Sequence, residues 1–328
     1  MPGGINIVNF EDGALIDGKW TVMRMLGSGS FGVVYKVKDK NGVVYAMKTE
    51  KYTPKNVLKI EVHVLKQAGA KKLKHFLRLY DCAVWKGARG NYLMYIVMEL
   101  AGSSVDALRR LRKDRRFTIE CALTIGFHFI DAIEELHNLG YQHRDIKAEN
   151  LAVGVENRSQ IYIIDFGLCR AYLDEHERFR QPRKEGPFRG TVRYAPLACH
   201  IRRETCRKDD LESWLYSQIE YTRGSLPWRD LGSIVDVGLY KERCRYGIGL
   251  AELMGGCPKE YIDILRYLDS LTYYQVPDYN KCRNYLHSAT KHLEKKFKRT
   301  YDWVDENLKA GNGNADITVV EGEGGLND

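Results

Sequence analysis

The stretch L-G-S-G-S-F-G-V-V, residues 26–34, lies between two runs in which apolar and polar residues alternate, W-T-V-M-R-M-L (20–26) and G-V-V-Y-K-V-K-D (32–39). Alternation of period two marks a half-buried strand, so the glycines occupy a strand–turn–strand connection. Gly27, Gly29 and Gly32 leave out the Cβ atoms that would keep backbone amides from phosphate oxygens. The same letters satisfy a dinucleotide fingerprint, with Glu50 at about the right distance to hold a ribose, and a purely structural glycine turn is a third reading. A dinucleotide fingerprint opens a helix, whereas here a strand follows. A third run, V-V-Y-A-M-K (43–48), comes after the Asn41-Gly42 turn and completes an antiparallel meander.

Working outward, residues 55–68 place apolar side chains at 57, 58, 62 and 65, which is helical spacing, and further strands are expected at 76–85 and 92–99. Beyond Gly102 the texture changes. I-E-C-A-L-T-I-G-F-H-F-I-D-A-I-E-E-L-H (119–137) reads as a long, mostly buried helix, and helical patterns recur at 209–222 and 258–270. The fold class is therefore α+β: a small antiparallel β-rich lobe with one main helix (about 20–100), then a mainly helical lobe (about 103–300). Ala101-Gly102-Ser103-Ser104 reads as a hinge between them. Residues 1–19 are an N-terminal extension and 301–328 a C-terminal one, expected to be disordered from about 310 because it is rich in Gly, Asn and acids. No internal repeat is visible.

With 328 residues, 44% of them hydrophobic, the chain has ample apolar material for a core. The N-terminus lacks the basic and apolar regions of a signal peptide, and no run is long enough to cross a bilayer. The eight cysteines are scattered without a C-x-x-C pair, which fits reduced thiols. An intracellular protein, cytoplasmic with nuclear access, is expected, with no membrane partner and a monomer as default. Cys199, His200 and Cys206 are read as surface or packing residues, not as a metal site. The net charge is +8, and residues 311–328 carry four carboxylates and no Lys or Arg, which leaves +12 over residues 1–310. Total charge alone cannot choose between nucleic acid, membranes and acidic peptides. The densest basic cluster, R-R-L-R-K-D-R-R (109–116), reads as a solvated helix end. Without interleaved aromatics it gives no reason to expect nucleic-acid binding.

The chemistry concentrates in a few places. Lys48 ends the third strand, where it can point a cation under the glycine turn. Glu61 on the first helix can pair with it, and is preferred to Glu50 because Ile60 and Val62 are expected to draw that helix to the core. In Y-Q-H-R-D-I-K-A-E-N-L (141–151), Asp145 can accept a proton from an attacking hydroxyl and Lys147 can neutralise a phosphoryl group in flight, while Asn150 can bind a divalent metal through its carbonyl. Asp165 of I-I-D-F-G offers a hard carboxylate for Mg2+. Any one of these stretches could arise by chance, but their order along the chain is specific to phosphoryl transfer.

With G-x-G-x-x-G-x-V, A-x-K, H-R-D-x-x-x-x-N and D-F-G in that order, the chain resembles a eukaryotic protein kinase over residues 20 to about 300. Within that superfamily it resembles the casein kinase 1 group, and most closely its tau-tubulin kinase branch. The narrower likeness rests on G-P-F-R-G-T-V-R-Y-A (186–195), K-D-D-L-E-S-W (208–214), G-S-L-P-W-R (224–229), V-G-L-Y-K-E-R (237–243), S-L-T-Y-Y-Q-V-P-D-Y (270–279) and D-W (302–303). The resemblance implies that ATP is held by Gly27, Ser28, Gly29, Ser30, Phe31, Gly32, Val34, Ala46 and Lys48, with Met98 as gatekeeper and Glu99 and Ala101 as hinge. It implies catalytic roles for Asp145, Lys147, Lys48 and Glu61, metal ligation by Asn150 and Asp165, and an Asp210 that braces the catalytic loop. It also implies a preference for acidic or phosphorylated protein substrates through Arg193, with Arg189 near it. Where casein kinase 1 proper has a basic run after L-P-W, this chain has Asp230 and Asp236, which would repel a phosphate. Arg178, Arg180, Arg183 and Lys184 are possible substitutes. The expected function is a Mg-ATP-dependent serine/threonine kinase. A pseudokinase scaffold would lack the lysine, base or metal ligand, and a small-molecule phosphotransferase would lack the long activation segment from Gly167 to Tyr194.

Overall fold

A computed structural model describes residues 9–29, 32–54, 56–87, 90–293 and 296–305. The described residues divide into two compact units, one of residues 9–103 with 152–167, the other of 104–151 with 168–305.

The first unit is built on β1 (Leu15–Ile16), β2 (Trp20–Gly29), β3 (Gly32–Lys38) and β4 (Val44–Lys51), followed by α1 (Leu58–Ala70), β5 (Leu79–Lys86) and β6 (Tyr92–Met98). The strands form one antiparallel sheet in the order β1-β2-β3-β4-β6-β5. Successive side chains of a strand point to opposite faces, and the sequence uses this strictly. Val33, Tyr35, Val37, Met47, Tyr95 and Val97 join Ile16, Trp20 and Val22 in one buried apolar cluster. The register pairs Gly27 with Val34, Val34 with Lys48, and Ala46 with Met98, so these residues occupy the other face. One face is core, and the other carries the expected nucleotide residues.

Glu50 does not hold a ribose. Its carboxylate accepts the N–H groups of Val57 and Leu58, supplying the cap that Val57 cannot make for α1. The helix packs on β5 and β6 through Leu58, Val64, Leu65 and Ala68. Ile60, expected to draw it inward, is 37% exposed, because at about 100° per residue it falls at the margin of the stripe formed by residues 58, 61, 64, 65 and 68.

Short strands follow: β7 (Ala101–Ser104), β8 (Tyr141–Gln142), β9 (Leu151–Gly154), β10 (Ile161–Ile163) and β11 (Arg170–Ala171). Residues 101–104, read as a hinge, are thus a strand, the edge of a sheet ordered β10-β9-β7. The backbone of Val153 comes so close to Gly102 that a Cβ there would meet its carbonyl oxygen at 3.1 Å.

The second unit contains α2 (Val105–Arg110), α3 (Ile119–Asn138), α4 (Leu197–His200), α5 (Arg207–Arg223), α6 (Ile234–Arg243), α7 (Gly247–Met254), α8 (Glu260–Asp269), α9 (Tyr279–Thr290) and α10 (Asp302–Asp305). Thr118 caps α3 through Cys121 N–H, and α3 packs between α5 and α9. At the start of α5, Asp209 accepts the Cys206 N–H, and the helix ends on Gly224 at φ 93°, a left-handed cap that favours glycine.

The basic stretch 109–116 is not a uniformly solvated helix end. Arg109 is buried: it donates to Asp106 Oδ1 at 2.7 Å and to the carbonyls of Arg115 and Gly224. A carboxylate three residues earlier on the same helical face makes that burial tolerable. At the far end of the chain, Asp302 accepts the N–H and Oγ–H of Thr118, and Trp303 packs edge-on against Phe117. The tail expected to be disordered from about 310 lies outside the described residues. Among the described residues no cysteine is in a disulfide, and no helix is long and apolar enough to cross a membrane.

Candidate active site

Each unit carries one group of the expected residues. In the first, Lys48 Nζ lies 2.7 Å from Glu61 Oε2 and 2.9 Å from Asp165 Oδ1. Lys48 and Glu61 are 8% and 2% exposed, so this is a desolvated cluster, which is costly to build unless every charge is matched. Burial works against the ammonium, but the two carboxylates outweigh it and hold Lys48 above the ordinary lysine range. Burial pushes Glu61 above the usual carboxylate range, with Lys48 pulling the other way. Asp165 follows β10 at φ 63°, a left-handed conformation that non-glycine residues seldom adopt, and its Oδ1 also accepts the Gly167 N–H. The next residue, Phe166, stacks on Phe76 at 5.4 Å and so anchors the turn that presents Asp165.

The glycines divide into two kinds. At Gly32, with φ 130°, a Cβ would sit 1.9 Å from the Thr49 carbonyl oxygen, so this glycine is required by the approach of β4. Gly29 is exposed with open space where a Cβ would be, which suits approach by a phosphate. Ser28 is exposed and Gly27 half-buried beside them, while Ser30 and Phe31 lie outside the described residues. Met98 and Ala46 are buried cross-strand neighbours. The Glu99 N–H is engaged by Arg78 O at 2.8 Å and its carboxylate by Tyr162 Oη–H at 2.9 Å. A hinge contact from Glu99 is therefore limited to its carbonyl, and Ala101, half-buried, begins β7.

In the second unit, the loop after β8 is held from below by α5. Asp210 accepts from His143 N at 2.7 Å, Arg144 N at 2.8 Å and His137 Nε2 at 2.9 Å. Although burial acts the other way, the hydrogen bond and charge from His137 hold its carboxyl below the usual value. This brace keeps Arg144 at φ 67° and thereby aims the neighbouring Asp145. The Asp145 carboxylate is surrounded by donors: Thr191 N and Oγ1 at 2.9 Å each on Oδ1, and Asn150 Nδ2 and Lys147 Nζ at 3.2 Å each on Oδ2. Lys147 also donates to Thr191 Oγ1 at 2.8 Å. Thr191 can stand this close because Gly190, at φ 91°, has no Cβ to strike Arg144 O, which would lie 2.6 Å away.

Thr191 was not among the residues singled out. The Gly-Thr pair in G-T-V-R-Y was visible, but only the fold brings the hydroxyl to Asp145. Asn150 points its amide hydrogens at Asp145 O and Oδ2, which fixes its orientation and leaves its carbonyl oxygen as the atom for a cation. That neutral carbonyl in the second unit and the Asp165 carboxylate in the first are each hard oxygen donors, of the kind magnesium takes.

The expected anion residues are less available. Arg189 is exposed, but Arg193 lies 4.0 Å from the buried Glu220. Two of the proposed substitutes are already paired, Arg178 with Asp174 at 3.1 Å and Arg183 with Glu204, and Arg180 donates to Leu173 O. Lys184 is exposed. Cys199 and Cys206 are buried with thiols pushed up by desolvation, Cys199 to about 12.

A family model described as protein kinase domain matches residues 20–213. The chain belongs to the protein kinase family. It is similar to a protein of Dictyostelium discoideum named a probable serine/threonine-protein kinase, 35% identical over 300 residues, which are 90% of this chain and 58% of that protein. It is also 35% identical over 294 residues to the serine/threonine-protein kinase spe-6 of Caenorhabditis elegans, covering 88% of this chain and 76% of the relative. A second C. elegans protein with a serine/threonine-kinase name is 33% identical, over 94% of this chain and 88% of its own length. The sequence is thus that of a serine/threonine-protein kinase, an enzyme family that uses ATP and a divalent metal on protein substrates.

Proposed function

We propose that the chain transfers the γ-phosphoryl group of Mg-ATP to serine and threonine hydroxyls of proteins. The observation that carries this reading is the Asp145 carboxylate, fixed by Thr191, Asn150 and Lys147 with a cation 3.2 Å from one oxygen. ATP with magnesium would supply the phosphoryl group and neutralise part of its charge, with Asn150 and Asp165 as the ligands. Asp145 takes the proton as the hydroxyl oxygen bonds to phosphorus and the bond to ADP breaks. Lys147 offsets charge on the moving phosphoryl group, and Lys48, held by Glu61, orients the α- and β-phosphates. A pseudokinase is disfavoured because Lys48, Asp145, Asn150 and Asp165 are all in place.

We further assign the chain to the casein kinase 1 group, near its tau-tubulin kinase branch, on the stretches quoted above. Residues 20–300 are taken as the catalytic domain, and an intracellular setting suits the unpaired thiols. A preference for acidic or phosphorylated peptides would rest on Arg189 and Arg193, since Asp230 and Asp236 are exposed where a basic run would help. The test offers the protein matched Ser, Thr and Tyr peptides with and without neighbouring acidic or phosphorylated residues, beside a panel of small alcohols. Incorporation into Ser and Thr peptides supports the reading, and incorporation only into small alcohols sinks it. Equal rates with and without an acidic neighbour remove the anion-site assignment alone.

A further inference from the structure

Lys241 on α6 has no exposed surface, although it is a lysine, a residue almost never fully buried unless paired. Its Nζ donates to Val192 O at 2.9 Å and Ala195 O at 2.6 Å, and lies 3.1 Å from His200 Nε2. His200 Nδ1 faces the Ile234 carbonyl at 2.9 Å. That nitrogen therefore carries the ring hydrogen, and Nε2 is an acceptor. The amine nitrogen thus has three polar partners, none of them a carboxylate, and burial draws its pKa well below the ordinary lysine range. The faces of Tyr216 and Trp228 lie 4.9 and 5.1 Å from the nitrogen and close it off on that side. Trp228 Nε1 in turn donates to Arg193 O at 2.8 Å.

The carbonyls of 192, 193 and 195 are therefore all tied down by Lys241 and Trp228, while Thr191 at the head of the same segment is bound to Asp145. A methionine would fill the volume without burying a polar head group, so filling space does not account for the amine and its three partners. We propose that Lys241 is a positioning residue for the acceptor protein: with Trp228 it sets the segment 191–195 against which the incoming peptide lies beside Asp145. The inference rests on the phosphoryl-transfer reading and names a determinant of its peptide site.

The test compares wild type with Lys241→Met and with Trp228→Phe, which keeps an aromatic ring but loses the N–H and part of the indole's volume. Peptide KM, ATP KM and peptide-independent ATP hydrolysis are measured on protein whose folding is checked by circular dichroism. Lys241→Met should raise peptide KM about tenfold and Trp228→Phe about threefold, with ATP KM and ATP hydrolysis changed by no more than about twofold. An unchanged peptide KM, or a proportional fall in peptide phosphorylation and ATP hydrolysis, overturns the assignment. If Lys241→Met does not fold, Trp228→Phe decides by the same criterion. Folded wild type that phosphorylates no peptide would instead overturn the phosphoryl-transfer reading.

Discussion

Replacing Asp210 with Asn keeps the shape of the side chain and changes only one oxygen to an NH2 group, so its effect can be worked out from three hydrogen bonds. Oδ2 accepts His143 N and His137 Nε2, and Oδ1 accepts Arg144 N. Whichever way the amide turns, its NH2 faces one of the two backbone N–H groups. In one orientation Arg144 N loses its acceptor, and in the other His143 N does. His137 can adapt by changing tautomer against Tyr279 Oη, 2.7 Å from its Nδ1, but the backbone cannot. A buried unpaired N–H costs about 1–3 kcal/mol, and weakening the remaining charge-assisted bonds adds about 1 more. The expected loss of stability is about 2–4 kcal/mol, measured by urea unfolding followed at a probe in the second unit. Because the same bonds hold Arg144 in its left-handed conformation, kcat should fall at least about tenfold, with ATP KM nearly unchanged. Hydrogen exchange at residues 143 and 144 should accelerate with it. A variant that keeps kcat and loses less than about 0.5 kcal/mol would refute the bracing role.

Three other outcomes follow from the geometry. Lys48→Met should lower kcat/KM by about 10²–10³, as measured with peptide and ATP, and should cost about 3–5 kcal/mol of stability at neutral pH because the buried Glu61 is left without its partner; retained activity would contradict the proposed role of Lys48 toward the phosphates. Glu212, buried against Arg245 at 2.6 Å, is held down to about 2 by Arg245 and Lys208 despite burial. A carboxylate whose folded value lies below its unfolded one stabilises fully above that unfolded value, and the contribution drains away as pH falls from about 4.5 to 2. This should make Glu212→Gln less stable by about 3 kcal/mol at pH 7 and progressively less so in acid, and urea titrations with a pH-independent difference would rule it out. Gly32→Ala should cost about 2 kcal/mol or more, because its Cβ would strike Thr49 O, whereas Gly29→Ala should cost under about 1 kcal/mol; equal thermal shifts would show that the close approach to β4 does not constrain residue 32.

The meander was legible because alternation along β2, β3 and β4 leaves one face apolar, and that same period put Val34, Ala46 and Lys48 together on the other. Motif order likewise pointed to Asp145, Lys147, Asn150 and Asp165 before any coordinates. What stayed hidden depends on tertiary partners. Glu61 was preferred to Glu50 for the wrong reason, since Ile60 is exposed and it is Leu58, Val64 and Leu65 that seat the helix. Arg109 read as solvated because, although Asp106 lies only three residues earlier, the Arg115 and Gly224 carbonyls that complete its burial come from outside its helix. Lys241 was not picked out at all, because carbonyl acceptors leave no trace in a sequence.

The most direct test of the central claim is transfer of radiolabelled phosphate from ATP to a serine peptide by wild type and by Asp145→Asn, at saturating magnesium and with thermal stability checked for both. Phosphate incorporation by the wild type and a fall of about 10²-fold or more in the variant, with ATP affinity largely kept, is the predicted result. Equal incorporation by the two proteins would show that this carboxylate is not the proton acceptor.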